Sequence, residues 1–403
     1  MNLTELPAEM LQHISAFLDS RSLATFGSVC RKCREVSEIE TLWQGLCKKD
    51  FQVTSVKGWD LSYKHAYTKV LVNCNFLGLK RLALLPYGGL VNVSWGVGEI
   101  QVNGHTAIGR SDPEHPLICE PYFCIRWSHD LDRLQVFCAQ SENSACEEAI
   151  LIEDPQYPLM YCRGRRESHV RNKRGGKPLK PKYGQSDPRL RRGFNDHPGA
   201  FEDHDLSCGF NCPLLSLPAL TSEYQQRSRI SLGLYTGDYG SHGTEILYFM
   251  MSSSEPYHLE GLKIVGDPNV PAGYVSLHVS LDKPIILSGA DQTTVYQLIE
   301  MDETRNEESY HELLCSNDNN PDLRQPFMVP HDCFERSNVA QNSCLARYLG
   351  KGRIAGHNYT HPSFCHIHFI VFSEDLVGVI WLELCCFSLF HKVKDEFPVC
   401  IQN

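Results

Sequence analysis

The first fifty residues constrain this chain more than any other stretch. Leu6, Met10, Leu11, Ile14, Phe17 and Leu18 recur at helical intervals, which puts them on one apolar face. Thr4 can accept a hydrogen bond at the helix start, and Pro7 fits a first turn whose amide proton has no partner in any case. Asp19, Ser20 and Ser22 interrupt the pattern and can cap a second helix, on which Leu23, Phe26, Val29, Cys30, Cys33 and Val36 rebuild a stripe. A third short segment ends in Leu42, Trp43 and Leu46. Three helices this short enclose too little core to stand alone. Part of their apolar surface must therefore belong to a partner or to the domain that follows.

The rest of the chain has a different texture. Residues 51–80 read as a helical connector, with an amphipathic helix over roughly 48–72 that uses Trp59, Leu61, Tyr63, Ala66 and Tyr67. From residue 81 to 403 the pattern is short β-branched and aromatic runs between Gly and Pro turns, which predicts one mainly antiparallel β-barrel or sandwich domain. Strands are expected at 120–127, 133–139, 149–152, 229–235, 245–251, 275–280, 284–287, 366–372 and 377–389, with long loops and some helix over 183–228 and 301–346. The fold class is α+β. In the most apolar stretch, 364–390, charged residues and histidines leave no run long enough to span a membrane. The N-terminus lacks the basic start and apolar run of a secretory signal. The 18 cysteines are accordingly expected as reduced thiols and metal ligands in the cytoplasm or nucleus.

Cys138, Cys146, Cys162 and His169, separated by seven, fifteen and six residues, form a set whose donor chemistry suits a closed, structural zinc site. The spacing is looser than paired Cys-x-x-Cys, so unrelated buried thiols and a surface histidine are the competing reading. His204, Cys208 and Cys212 are a rival group, and His366 with His368 share one strand face. Cys30 and Cys33 are accounted for as helix core. Residues 163–192 carry twelve Lys or Arg against Glu167 and Asp187, although the whole chain has net charge −10. With Gly-Gly and several prolines this segment reads as a flexible solvated loop, the alternatives being a nuclear-import signal or an acidic-partner contact. The acidic remainder argues against nucleic-acid binding by the whole protein.

Three glycine-rich stretches, 235–249, 263–273 and 350–372, read either as hairpin turns or as the ligand mouth of a barrel. Ser241 beside His242 suggests a hydrolase, but Tyr239 stands where a nucleophile elbow needs glycine. No phosphate loop, zinc-protease motif or defensible carboxylate pair appears, so the chain reads as a non-enzyme. The pocket expected is Asp267, Tyr239, Ser241, His242, His357 and Trp381.

Leu6-Pro7, Ile14, Leu18, Leu23, Val29-Cys30-Arg31 and Leu42-Trp43 stand in the order and spacing of an F-box. The segment is identified as a member of that family, which docks on the Skp adaptor of cullin-RING ubiquitin ligases. Cys33 departs from it, where many members carry Trp. The resemblance makes the segment a three-helix F-box and implies adaptor binding through Leu6, Pro7, Ile14, Leu18, Leu23 and Trp43, some of which serve its core. Further motifs, PYGGLVNV (86–93), YGSHGTEI (239–246), KIVGDPNVPAG (263–273), GRIAGH (352–357), FSEDLVGVIWLEL (372–384) and FSLF (387–390), resemble the F-box only protein 31 family in order. That resemblance implies a substrate receptor of a Skp-cullin-F-box ligase whose barrel-like domain takes up C-terminal tails, of D-type cyclins or of C-terminally amidated proteins, for degradation. It also implies a structural zinc ion on Cys138, Cys146, Cys162 and His169, with Cys146 replacing a family histidine and the last spacing one residue longer. Asp267 matches an aspartate tied to substrate choice. The alternatives are a zinc-containing nucleic-acid-binding protein using the basic segment 163–192, and a hydrolase using Ser241 and His242.

Overall fold

Apolar spacing builds four N-terminal helices rather than three in the computed structural model. It describes residues 5–74, 76–107, 113–139, 149–152, 159–162, 210–220, 229–238, 243–305, 322–336 and 339–401. Helix α1 (Ala8–Ser15) starts after Pro7; Thr4 lies outside the described residues. Asp19 caps α2 (Ser20–Gly27), its Oδ1 accepting from the Ser22 amide at 2.7 Å. The expected second helix breaks after Gly27, because extended Cys30 offers its Sγ to the Cys33 amide at 3.5 Å and so caps a separate α3 (Arg31–Ser37). Helix α4 (Glu40–Phe51) buries Leu42, Trp43 and Leu46, with Trp43 Nε1 donating to the Ser37 carbonyl at 2.7 Å.

The connector is only partly helical. Gln52 adopts a left-handed conformation (φ 58°) that ends α4, and helix resumes only at α5 (Tyr63–His65), which runs on through a π turn (Ala66–Val70) and a 3-10 turn (Leu71–Asn73). Between them Trp59 is not on a helix face. It stacks on Trp95 with centroids 4.0 Å apart and donates from Nε1 to the Gly96 carbonyl at 2.9 Å. Trp95 Nε1 returns a bond to the Ser55 carbonyl at 2.8 Å. Of the residues that suggested a helix here, Trp59 packs on a strand instead, and the tryptophan pair fastens the helices to the β region.

That region begins at Gly78 and is two units rather than one. The first is an eight-stranded antiparallel sheet in the order β5-β4-β3-β2-β1-β8-β7-β6. Its strands are β1 (Gly78–Leu82), β2 (Leu90–Trp95), β3 (Ile100–Ala107), β4 (Leu117–Ser128), β5 (Arg133–Cys138), β6 (Ala149–Ile152), β7 (Leu159–Cys162) and β8 (Phe210–Ser216). Its buried side chains, among them Val93, Val102, Phe123 and Ile125, form one core with those of the helices and connector.

The second unit is a closed barrel. Strands β9 (Gly233–Asp238), β10 (Thr244–Met251), β11 (His258–Lys263) and β12 (Val275–Pro284) are followed by α6 (Val295–Thr304) and three two-residue strands, β13 (Gln325–Pro326), β14 (Glu335–Arg336) and β15 (Ser343–Cys344). Then come β16 (Ala346–Gly356), β17 (Thr360–Ser373), β18 (Leu376–Trp381) and β19 (Cys386–Lys392). The order β9-β10-β11-β12-β16-β17-β18-β19 is closed by pairing of β19 with β9. The expected strand at 377–389 is thus a hairpin turning at 382–385, and 284–287 is only the end of β12. Alternation sets the interior: Leu247, Phe249, Leu277, Val279, Ile367, Phe369, Val379 and Phe390 fill it. Outward-facing Ile246, Tyr248, Leu262 and Ile264 meet Leu90 of the first sheet, and Ile370, Phe372, Ile380 and Phe387 are covered by Val295 and Leu298 of α6.

One clasp between the two units bears on function. The loop before β2 lies along the chain leaving β11: the Gly266 amide donates to the Tyr87 carbonyl at 3.0 Å and the Ala272 amide to the Pro86 carbonyl at 2.8 Å. Gly88 has φ +67°, and a Cβ there would lie 2.3 Å from both the Ile264 carbonyl oxygen and Ala272 Cβ. Gly88→Ala is expected to destabilise the protein by about 2–4 kcal/mol, because backbone strain and a clash with main chain coincide. Equilibrium urea unfolding of the two proteins measures it; a difference below about 0.5 kcal/mol would contradict this packing.

Candidate functional site

Antiparallel order brings alternate chain reversals to the same end of the barrel. The chain from β11 to β12, the β16–β17 turn and the β18–β19 turn meet at one end, where β9 also finishes and β10 begins. Hydrogen bonds tie two of these reversals together, from the Tyr359 amide to the Pro268 carbonyl at 2.9 Å and from Asn269 Nδ2 to the Ala355 carbonyl at 2.9 Å. Between them is a cavity of about 360 Å³ lined by Lys263, Asp267, Val270, Ile354, Trp381, Leu384 and Ser388, with Phe334 at its edge. Phe334 is 85% exposed, and its amide donates to the Cys385 carbonyl at 2.7 Å where β14 runs parallel to β19.

The cavity ends on a buried ion cluster. Lys263 Nζ lies 2.8 Å from Asp267 Oδ2 and 2.7 Å from Glu245 Oε2, and all three side chains are less than a tenth exposed. Asp267 Oδ1 also accepts from the amides of Asn269 at 2.5 Å and Val270 at 3.0 Å, so the Asp-Pro-Asn turn is built around its carboxylate. Burial alone would raise the Asp267 pKa. Hydrogen bonding with Glu245, the Lys263 charge and the Val270 amide outweigh burial and hold the group below the usual carboxylate range. Burial dominates at Glu245 and pushes its pKa up to about 8, against the pull of Lys263. Taking such groups out of water costs several kcal/mol per ion, which makes the cluster a candidate functional site.

The N-terminal helices leave apolar side chains in solvent. Phe17 is 88% exposed and Val29 66%, and Met10 and Ile14 stand out beside them. An exposed patch of this kind marks a docking surface.

Residues 3–49 match a family model described as F-box-like, and residues 217–396 match one described as Cyclin D1 binding domain. Over 98% of its length the chain is 27% identical to F-box only protein 31-B of Xenopus laevis, covering 84% of that protein. It is 26% identical to F-box only protein 31 of Rattus norvegicus over 98% of the chain and 85% of the relative, and 26% identical to that of Homo sapiens over 98% and 84%. The chain is similar to F-box only protein 31 along almost its whole length.

The boundaries of the second model enclose the closed barrel and its mouth, and those of the first enclose α1 to α3 and most of α4. Within the F-box-like helices the six expected adaptor residues divide. Pro7 and Ile14 are exposed and Leu6 and Leu18 half-buried, whereas Leu23 and Trp43 are buried in the core and hold the helices together. Met10, Phe17 and Val29 belong to the exposed face and were missing from that set. Their sequence signal was the stripe itself, which is too wide to be covered by helices this short. Cys33 is buried, the core role expected for it.

In the barrel, Asp267 and Trp381 line the cavity. His357 does not. It sits exposed on the β16–β17 turn, its carbonyl accepting from Thr360 Oγ1 at 3.0 Å. Tyr239, Ser241 and His242 lie outside the described residues. Lys263 and Glu245 were not anticipated, although both fall inside the motifs that drew attention to Asp267. His366 and His368 share a strand face but are separately engaged. His366 Nδ1 bonds Glu383 Oε1 at 2.8 Å in solvent, while buried His368 lies between Asp302 Oδ2 at 2.7 Å and Arg347 Nη1 at 3.2 Å.

Of the expected zinc ligands, Cys146 and His169 lie outside the described residues, as do the basic segment 163–192 and His204 and Cys208 of the rival group. Among the described residues no set of three or more His, Cys, Asp or Glu is placed to hold a metal. Cys138 is buried at the end of β5, next to β6. Ala149, the first residue of β6, has Cys162 at the end of β7 as its ladder partner. The chain therefore carries Cys138 and Cys162 on strands that flank β6, with Cys146 in the link between β5 and β6.

Proposed function

We propose that this protein is the non-catalytic substrate receptor of a Skp-cullin-F-box ubiquitin ligase, acting in the cytoplasm or nucleus, and that its barrel mouth binds the C-terminal tails of target proteins. The observation that carries the reading is a cavity lined by the buried Lys263–Asp267 pair. Such a pair can hold the end group of a chain. A primary carboxamide offers N–H donors and a carbonyl acceptor, and Asp267 and Lys263 present an acceptor and a donor side by side. A free carboxylate has no N–H to donate and sets its charge against the Asp267 carboxylate, a pair repulsion of roughly 2–3 kcal/mol at 6 Å and an effective dielectric of 20. The mouth is therefore suited to amide-capped ends more than to acids. The apolar wall around Trp381 and Ile354 leaves room for the last side chain. The match of residues 217–396 to a cyclin D1 binding domain supports a cyclin tail as one cargo.

The receptor accelerates transfer by holding the target near the ligase, so it needs no acid, base or nucleophile of its own. Zinc on Cys138, Cys146, Cys162 and His169 is part of the same proposal. Three thiolates and an imidazole suit a closed tetrahedral site, in which they would fix the link between β5 and β6 and the chain beyond β7, with no open position for water.

Two experiments test the reading. Phe17→Glu is expected to lower recovery of the Skp adaptor in a pull-down at least about tenfold, since a charge replaces a fully exposed apolar anchor; equal recovery would contradict the adaptor face. A library of C-terminal peptides, each as free acid and as amide, is expected to yield binders to the purified adaptor complex that bind about tenfold or more tightly as amides. Binding that survives extension of the peptide beyond its last residue would contradict chain-end recognition.

A further inference from the structure

Glu245 is the one member of the ion cluster that the chain end does not reach. It is 1% exposed and does not line the cavity, yet its Oε2 lies 2.7 Å from Lys263 Nζ, behind the lysine that does. A structural ion pair has no need of a second carboxyl here, because Asp267 already pairs with Lys263 at 2.8 Å. The surroundings give Glu245 little else: β9 places Gly237 opposite it, and β19 places Phe390 opposite that glycine. Among the described residues the charged groups acting on Glu245 are Lys263 on β11 and Asp267 in the turn that follows.

We infer that Glu245 is a positioning residue that sets the charge of the chain-end site, so that the mouth accepts a free carboxylate only while Glu245 carries a proton. The inference rests on the tail-binding reading above and deepens it. With Glu245 protonated, Lys263 and Asp267 cancel and the buried cluster is neutral. With Glu245 ionised, the cluster is negative by one charge, and an entering carboxylate meets net repulsion in a site with little water to screen it. An uncharged carboxamide meets neither state with a net charge of its own. Burial keeps the Glu245 carboxyl protonated up to about pH 8, far above its ordinary value. The sign follows directly. Below that pH the acid enters a neutral site; above it, binding of the acid must take up a proton and weakens by about tenfold per pH unit, the linkage slope for one proton. The amide takes up none. Selectivity for amide-capped ends therefore widens as pH rises, and the residue responsible is one the ligand does not touch.

The test uses the full chain bound to its adaptor. One peptide is needed, acetylated at its N-terminus and free of titratable side chains, as acid and as amide, titrated by fluorescence anisotropy between pH 6.5 and 9.5. Wild type is expected to hold a constant amide affinity, while the acid affinity falls with unit slope above about pH 8; in Glu245→Gln the acid profile is flat. Lys392 is a second group whose pKa burial brings to about 8, but it sits at the far end of the barrel, where Nζ donates to the Leu232 carbonyl. Lys392→Arg should therefore keep the slope. Calorimetry on wild type alone, in two buffers of different ionisation enthalpy at pH 8.5, covers the case in which Glu245→Gln does not fold. Uptake of close to one proton by the acid and none by the amide supports the inference, and equal uptake overturns it. A flat acid profile in wild type, an unchanged slope in Glu245→Gln or a lost slope in Lys392→Arg also overturns it. Absence of binding by either peptide at every pH would instead overturn the tail-binding reading.

Discussion

The structure depends on closure of the second barrel. Strand β19 pairs with β9 across Phe390 and Gly237, and a Cβ at position 237 would stand 2.2 Å from the Phe390 ring. Closure removes two sheet edges and leaves a tube with two ends. Aromatic side chains fill its middle, with Phe249 in edge contact with Tyr235, Phe369 and Phe390. At the far end Tyr235 Oη donates to the carbonyls of Ser231 and Glu374. The end where β11 exits holds the cavity. The site combines a hollow at one end of a closed sheet with two buried charged residues that line it, Lys263 and Asp267, and Glu245 behind them.

The rest of the protein presents that hollow in a fixed orientation. The Trp59–Trp95 stack joins the helices to the first sheet, and the Pro86–Gly89 stretch of that sheet grips the chain between Ile264 and Ala272. Asp267 lies within the gripped segment. In the proposed function, an adaptor at Phe17 and Val29 would be connected to the cavity through packed and hydrogen-bonded contacts, as a scaffold that works by proximity requires.

Much of this was legible in the sequence, and the limits were physical. Period-3.6 spacing found the helices but merged two of them, because Cys30 caps α3 with a thiol, a residue type that carries no capping signal. It also misread Trp59, whose neighbours happen to repeat at helical intervals while its ring packs on a strand two chain reversals away. Alternation and Gly/Pro turns found most strands, but not that they form two units, since sheet membership is decided by pairing between distant segments. Asp267 was recognisable because Asp-Pro-Asn is a turn with its own chemistry. Glu245 was not, because a glutamate in a strand reads as solvent-facing unless the lysine that meets it, eighteen positions on, is known to point the same way.

The electrostatic logic of the mouth is the central claim: a buried carboxylate held by Lys263 and two backbone amides reads the end of a chain. The most direct measurement is calorimetric titration of the adaptor complex carrying Asp267→Asn against one peptide as amide and as acid. The account predicts that the amide loses at least about tenfold in affinity, the worth of one charged hydrogen-bond acceptor, while the acid gains because the cluster has lost a negative charge. An amide-to-acid ratio unchanged from wild type would contradict it.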